Sequence, residues 1–130
     1  MISSHTILFA PVEETFLNAD RDKVEQVINN LISNALKYSY INSTINIACV
    51  HKDQQILVSV QDEGPGISLE NAEKIFERYY RTEAAAESLV AGFGIGLYLC
   101  AEIIHQHGGN IWVDPGLGAG ATFHFSLPLQ

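Results

Sequence analysis

The chain is poor in positive charge, in cysteine and in long apolar runs. Seven lysines and arginines stand against fifteen aspartates and glutamates in 130 residues, a formal net charge of −8. That balance argues against nonspecific attraction to nucleic acid or to an anionic membrane surface. The two cysteines lie apart, Cys49 in an apolar run and Cys100 in a helical pattern. With no Cys-x-x-Cys spacing, two reduced core thiols are expected rather than a zinc site or a disulfide framework. No stretch approaches the ~20 apolar residues of a membrane helix, and the first residues lack the basic and apolar regions of a signal peptide. A cytoplasmic setting without direct membrane contact is the expectation. His5, His51, His105, His107 and His124 are scattered without the spacing of a zinc site or a catalytic triad, and are read as structural or exposed.

What is present describes a globular chain. Hydrophobic residues make up 47% and charged residues 17%, enough to bury a core in one domain spanning residues 1–130. Thr6 to Leu17 alternate loosely around Pro11, which suits edge strands. From Asp22, residues Val24, Val27, Ile28, Leu31, Ile32 and Ala35 recur at helical spacing, with Asp20 as the N-cap and an end near Tyr38. Thr44 to Val50 and Gln55 to Gln61 read as a hairpin closed by the polar turn His51 to Gln54. Ser68 caps a short helix running to Phe76, and Glu77 to Ala91 has no clean period and reads as a mobile lid. A second long helix is expected over Leu97 to His107, stopped by Gly108-Gly109. Strands at Ile111 to Val113 and Thr122 to Leu127 follow, around a turn at Gly116 to Gly120. The sum is an α+β sandwich, an antiparallel or mixed sheet with helices on one face.

Three segments carry chemistry. Asn30, Asn34 and Lys37 fall within roughly 60° of one another on the first helix at about 100° per residue. Asn oxygens are hard, neutral ligands suited to Mg²⁺, and Lys37 suits a phosphate; the alternative is a solvated polar face. Tyr38 either stacks on a flat base or packs at the helix end. Asp62-Glu63-Gly64-Pro65-Gly66-Ile67 sets a carboxylate at a strand end, where it can accept a hydrogen bond from an exocyclic amine such as that of adenine. An Asx-turn accounts for the same pattern, and Glu63 is expected to face solvent. Gly92-Phe93-Gly94-Ile95-Gly96-Leu97 opens a helix whose amides suit phosphates, or else forms a hinge. It follows no strand of a parallel βαβ unit and no Gly-Lys-Ser/Thr comes after it, against dinucleotide-binding and P-loop readings. Arg78 and Arg81 flank Tyr79 and Tyr80, where either arginine is placed to offset phosphate charge or simply to meet solvent.

In this order the motifs resemble the catalytic and ATP-binding domain of bacterial sensor histidine kinases, within the gyrase, heat-shock chaperone and mismatch-repair ATPase superfamily. Val27 to Ser39 resembles the asparagine box, Asp62 to Ile67 the first glycine box, Ile75 to Arg81 the phenylalanine box and Gly92 to Leu97 the second glycine box. His107-Gly108-Gly109 and Gly120-Ala121-Thr122-Phe123 are similar to the family's closing segments.

The resemblance implies a Bergerat-type two-layer sandwich, with ATP between the first helix and the lid. It implies Asp62 on adenine, Asn34 on Mg²⁺, and Asn30, Lys37 and Arg81 near phosphates or metal, with Phe76 anchoring the lid. Superfamily hydrolases usually carry Glu at the position of Asn30; an amide cannot take a proton from water, which favours transfer to a histidine over hydrolysis. His5 is followed by Thr6 rather than an acidic residue, so no acceptor histidine is identified. The resemblance therefore implies a monomeric fragment of a longer kinase, with a separate dimerisation and phosphoacceptor domain and a response regulator downstream; it leaves open a membrane anchor elsewhere in the full-length kinase. Phe93, where a small residue is common, and the open turn Gly118-Ala119-Gly120 depart from the family pattern. The alternatives are a serine kinase of the anti-sigma-factor type and a degenerate regulatory module.

Overall fold

The computed structural model describes residues 6–9, 19–77, 96–116 and 120–129. Five strands, β1 (Thr6–Phe9), β2 (Thr44–Lys52), β3 (Gln55–Gln61), β4 (Asn110–Asp114) and β5 (Thr122–Pro128), form one sheet in the order β1-β2-β3-β5-β4. All neighbours are antiparallel except β1 and β2, which are parallel, so the sheet is mixed. The parallel step follows from α1 (Arg21–Tyr38), which lies between β1 and β2 in the chain. Of the edge segment expected over residues 6–17, Thr6–Phe9 is a strand and residues 10–17 lie outside the described residues.

Period-2 alternation turns Ile56, Val58 and Val60 of β3 and Phe123, Phe125 and Leu127 of β5 to the same buried face. The register pairs Val60 with Phe123, Val58 with Phe125 and Ile56 with Leu127, which stacks the two rows side by side. Onto that face pack Val27, Leu31 and Ala35 of α1, spaced four apart, and Cys100, Ile103 and Ile104 of α3 (Gly96–Gln106). The α+β sandwich with helices on one face is therefore as expected.

Helix ends follow local chemistry. The Asp20 side chain accepts from the Lys23 amide at 3.2 Å, and the Ser39 amide donates to the Ala35 carbonyl at 3.0 Å to close α1. At the end of α3 the Gly109 amide returns to the Ile104 carbonyl at 2.9 Å while Gly108 sits at φ +78°, the expected glycine stop. His107 links the two helices. Its Nε2 accepts from the Asp20 amide at 3.1 Å, which leaves Nδ1 to donate to the Ile103 carbonyl at 2.7 Å.

Two boundaries differ from the sequence reading by more than one residue. The β2–β3 turn is shorter: pairing continues to Lys52 opposite Gln55, leaving Asp53 and Gln54 as a two-residue loop at φ +54° and +63°. Positive φ at both positions matches the right-handed strand twist, which overrides the preference for glycine there. The short helix α2 (Leu69–Lys74), capped by Ser68 through the Asn71 amide, ends before Phe76. The Phe76 ring meets Phe123 edge-on, with centroids 6.1 Å apart, and apolar packing ends the helix early.

Candidate functional site

The row Ile56, Val58, Val60 continues by alternation to Asp62, which places a carboxylate on the helix side of the sheet at 6% exposure. Its Oδ1 accepts from the Gly64 amide at 2.9 Å and from the Ala121 amide at 3.1 Å. The Gly64 bond is the Asx-turn weighed as an alternative, so the turn is real. Both donors converge on Oδ1, however, and among the described residues no protein donor reaches Oδ2. The carboxylate is thus held by one oxygen and offers the other. The adjacent chain needs glycine at two points. A Cβ at Gly64 would lie 2.5 Å from the Tyr38 carbonyl oxygen, and Gly120, at φ +86°, has its Cβ direction blocked by the Asp62 carbonyl.

The second contact on α1 comes from α3. A Cβ at Gly96 would lie 3.6 Å from Asn30 Oδ1, so the start of α3 abuts Asn30 as the Asp62 loop abuts Tyr38. Asn34 lies four residues from each, one turn either way, in a stripe of roughly 12 Å at 1.5 Å per residue. The first glycine segment and the start of α3 are therefore brought to two ends of one face of α1, with Asn34 between. Asn30 Nδ2 donates to the Gln26 carbonyl at 3.1 Å. On the facing side of α3 the buried Cys100 thiol lies 4.0 Å from the Val27 carbonyl. Burial pushes that thiol up to about 12, so it keeps its proton; burial raises Cys49 as well.

The other expected site residues sit as follows. Lys37 and Tyr38 are exposed in the last turn of α1. Gly66 adopts φ +77°, and the Ile67 amide donates to the Pro115 carbonyl at 2.9 Å, which ties the loop to the end of β4. Ile67, Phe76 and Leu97 pack against the core. Arg78, Arg81, Gly92, Gly94 and the lid expected over residues 77–91, apart from Glu77, lie outside the described residues. A groove of about 570 Å³ along α1, lined by Asp22, Glu25, Gln26, Asn29, Asn30 and Ser33, includes Asn30 but neither Asn34 nor Asp62. Its two carboxylates would repel a triphosphate, so the groove is not read as the site.

These contacts agree with a known family. The profile described as histidine kinase-, DNA gyrase B- and HSP90-like ATPase matches residues 19–130. The chain belongs to this family. The adaptive-response sensory kinase SasA of Trichormus variabilis is 46% identical over 112 residues, 85% of this chain and 27% of SasA. The sensor histidine kinase WalK of Bacillus subtilis is 40% identical over 122 residues, 92% of this chain and 20% of WalK. The chain thus spans roughly a quarter or less of the length of these relatives. The solved catalytic domain of histidine kinase ThkA superposes with a TM-score of 0.82 at 33% identity, covering 97% of this chain and 81% of that domain. The mixed sheet with helices on one face is the fold of this ATPase family.

Several interactions escaped the sequence reading. Glu63 is exposed as expected, yet its Oε1 accepts from the Thr44 amide at 2.7 Å and fixes the loop to the start of β2. On the opposite face of the sheet, His124 bridges Ser59 Oγ and Asp114 Oδ2, each at 2.7 Å, and stacks on Trp112 at 5.3 Å. Alternation with Phe123 and Phe125 already turned His124 outward, but its partners depend on the β3–β5–β4 register.

Proposed function

We propose that the chain binds ATP with Mg²⁺ and forms the phosphoryl-donating part of a sensor histidine kinase. The γ-phosphoryl group passes to a histidine on a separate dimerisation and phosphoacceptor domain, with a response regulator downstream. The observation that carries this reading is the buried Asp62, held through Oδ1 by two backbone amides with Oδ2 left as an acceptor, beside the Asn30–Asn34–Tyr38 stripe. Oδ2 accepts the exocyclic amine of adenine, and Tyr38 borders the base. Gly64, Gly66 and Ile67 shape the base pocket, and Phe76 anchors the chain that leads toward Arg81. Gly92, Gly94, Gly96 and Leu97 form the phosphate loop and the helix start after it.

The donor set fits Mg²⁺, because Asn34 and Asn30 offer neutral amide oxygens, the hard ligands this ion prefers. When bound, the ion supplies positive charge against the β- and γ-phosphates. Asn30 orients without acting as a base, since an amide oxygen takes up no proton from water, which supports transfer over hydrolysis. Lys37 and Arg81 offset the charge of the transferred group. The names of the SasA and WalK relatives support the kinase reading. Among the described residues no helix is long and apolar enough to cross a membrane, and we place this domain in the cytoplasm as a monomer.

Isothermal titration with a non-hydrolysable ATP analogue, with and without Mg²⁺ and with GTP as control, tests the reading. Adenine-selective, Mg²⁺-enhanced binding is expected; no binding in either condition would replace it with a degenerate regulatory module. Acid-labile phosphate on an added acceptor domain distinguishes phosphohistidine from the phosphoserine of an anti-sigma-factor-type kinase.

A further inference from the structure

Asp62 follows the end of β3, which has a strand on each side, and the chain around it is tied to both. Toward β5 the Asp62 amide donates to the Ala121 carbonyl at 2.9 Å, and Oδ1 accepts from the Ala121 amide at 3.1 Å. Toward β2 the backbone ladder ends at Asn46 opposite Gln61. Carried on by two residues, that register sets Thr44 opposite Glu63, and there a side chain takes over from the ladder: Glu63 Oε1 accepts from the Thr44 amide at 2.7 Å. The next residue, Gly64, is the one that meets the Tyr38 carbonyl. Tyr38 and Thr44 flank the connection from α1 to β2, which is closed on itself where the Ser43 amide donates to the Tyr40 carbonyl at 3.2 Å. The Asp62 loop therefore grips both ends of that connection, one through the Gly64 backbone and the other through the Glu63 carboxylate.

We propose that Glu63 is a positioning residue for the base pocket: through Thr44 it fixes the Asp62 loop against the end of α1, so that Oδ2 meets the exocyclic amine of adenine at hydrogen-bonding distance and angle. This deepens the proposed function and rests on its reading of Asp62. Without the bond to Thr44 the loop keeps Ala121 and pivots about the Tyr38 contact, which moves Oδ2 relative to Tyr38 and Asn34. Glu63 is exposed, so truncating it opens no cavity in the core. A side chain that merely tethered the fold would lower stability and leave the choice of base alone; one that positions Asp62 changes which base is accepted. A single net hydrogen bond corresponds to about two- to tenfold in an equilibrium constant.

The test uses the 130-residue chain. Titration with non-hydrolysable ATP and GTP analogues gives the preference for adenine, and repeating the ATP-analogue titration in EDTA gives the gain in affinity due to Mg²⁺. In Glu63→Ala the adenine preference is expected to fall about two- to tenfold with the Mg²⁺ gain unchanged, because the bond to Thr44 lies at the base end of the α1 stripe. Glu63→Gln, which keeps an oxygen acceptor at the same reach, is expected to restore the preference. A lower melting temperature in Glu63→Ala with the adenine preference intact would reduce Glu63 to a tether of the fold and overturn the proposal, as would a Glu63→Gln variant no better than Glu63→Ala. Asp62→Asn separates the two levels. If it leaves the ATP over GTP preference intact, the reading of Asp62 itself fails and takes this proposal with it; if it abolishes the preference while Glu63→Ala does not change it, only the positioning role fails. Should Glu63→Ala not fold, the unmodified chain still decides, because a Thr44 amide exchanging with solvent at the random-coil rate would overturn the proposal.

Discussion

The backbone of Gly64 lies so close to the carbonyl of Tyr38 that a single added Cβ would stand 2.5 Å from the oxygen. This contact joins the Asp62 loop to the last turn of α1 and sets where the buried carboxylate lies relative to Asn34. In Gly64→Ala neither backbone can yield cheaply, and overpacking of this kind costs about 1–3 kcal/mol. Thermal unfolding should register the loss, and titration should show analogue affinity falling at least as steeply as stability. An alanine variant that binds normally would show that the loop position does not matter for the site.

Asp62→Asn keeps an oxygen for the Gly64 and Ala121 amides but turns the second carboxylate oxygen into a donor. Stability should change by about 1 kcal/mol, while discrimination between ATP and GTP analogues collapses. Asp62→Ala, which strands both amides, should cost about 1–3 kcal/mol in denaturant unfolding. Unchanged ATP over GTP preference in Asp62→Asn would remove the residue from the base pocket.

Gln54 carries φ +63° in the two-residue hairpin loop without the side-chain features that make this region accessible to Asn or Asp. The left-handed region costs about 1–2 kcal/mol for an ordinary residue, and glycine gives back about half of that in lost chain entropy. Gln54→Gly is expected to stabilise the chain by about 0.5–1 kcal/mol in urea unfolding, with nucleotide binding untouched.

Ser39 Oγ is buried without a hydrogen-bond partner among the described residues. Removing an unsatisfied hydroxyl relieves a desolvation penalty, so Ser39→Ala should be neutral or stabilising by about 1 kcal/mol. A clear drop in melting temperature would mean that the hydroxyl has a partner in solution.

The Cys100 thiol, pushed up to about 12 by burial, gives a pH signature in the ligand-free chain. Above the ordinary thiol value of 9.0 the unfolded chain releases this proton and the folded one retains it. The unfolded state then binds fewer protons, so stability falls as pH rises between about 9 and 12. The limiting slope is about 1.4 kcal/mol per pH unit for one group. Serine does not titrate there, and the difference between wild type and Cys100→Ser in denaturant midpoint over this window should show the slope. Parallel curves for the two proteins would refute it.

Local patterns made the helices and most strand positions readable before any coordinates. The spacing of Val27, Leu31 and Ala35 and the alternation of Ile56, Val58 and Val60 act through geometry that repeats every few residues. The boundaries that moved did so for nonlocal reasons. Phe76 leaves α2 because Phe123, far along the chain, offers a packing partner. The hairpin tightens to Asp53-Gln54 because strand pairing runs on to Lys52 and Gln55.

By itself the sequence determined which residue types are available: two helix-borne amides one turn apart, a carboxylate at a strand end, and glycines where backbones must approach closely. Each depends on neighbours within a turn or two, which is the range over which backbone geometry alone acts. The tertiary structure decided which atoms those residues present. Asp62 gives Oδ1 to Gly64 and Ala121 and keeps Oδ2. Ala121 is remote from Asp62 in sequence, and a hydrogen bond acts only over about 3 Å for oxygen and nitrogen partners, so the choice between the two carboxylate oxygens had to wait for packing.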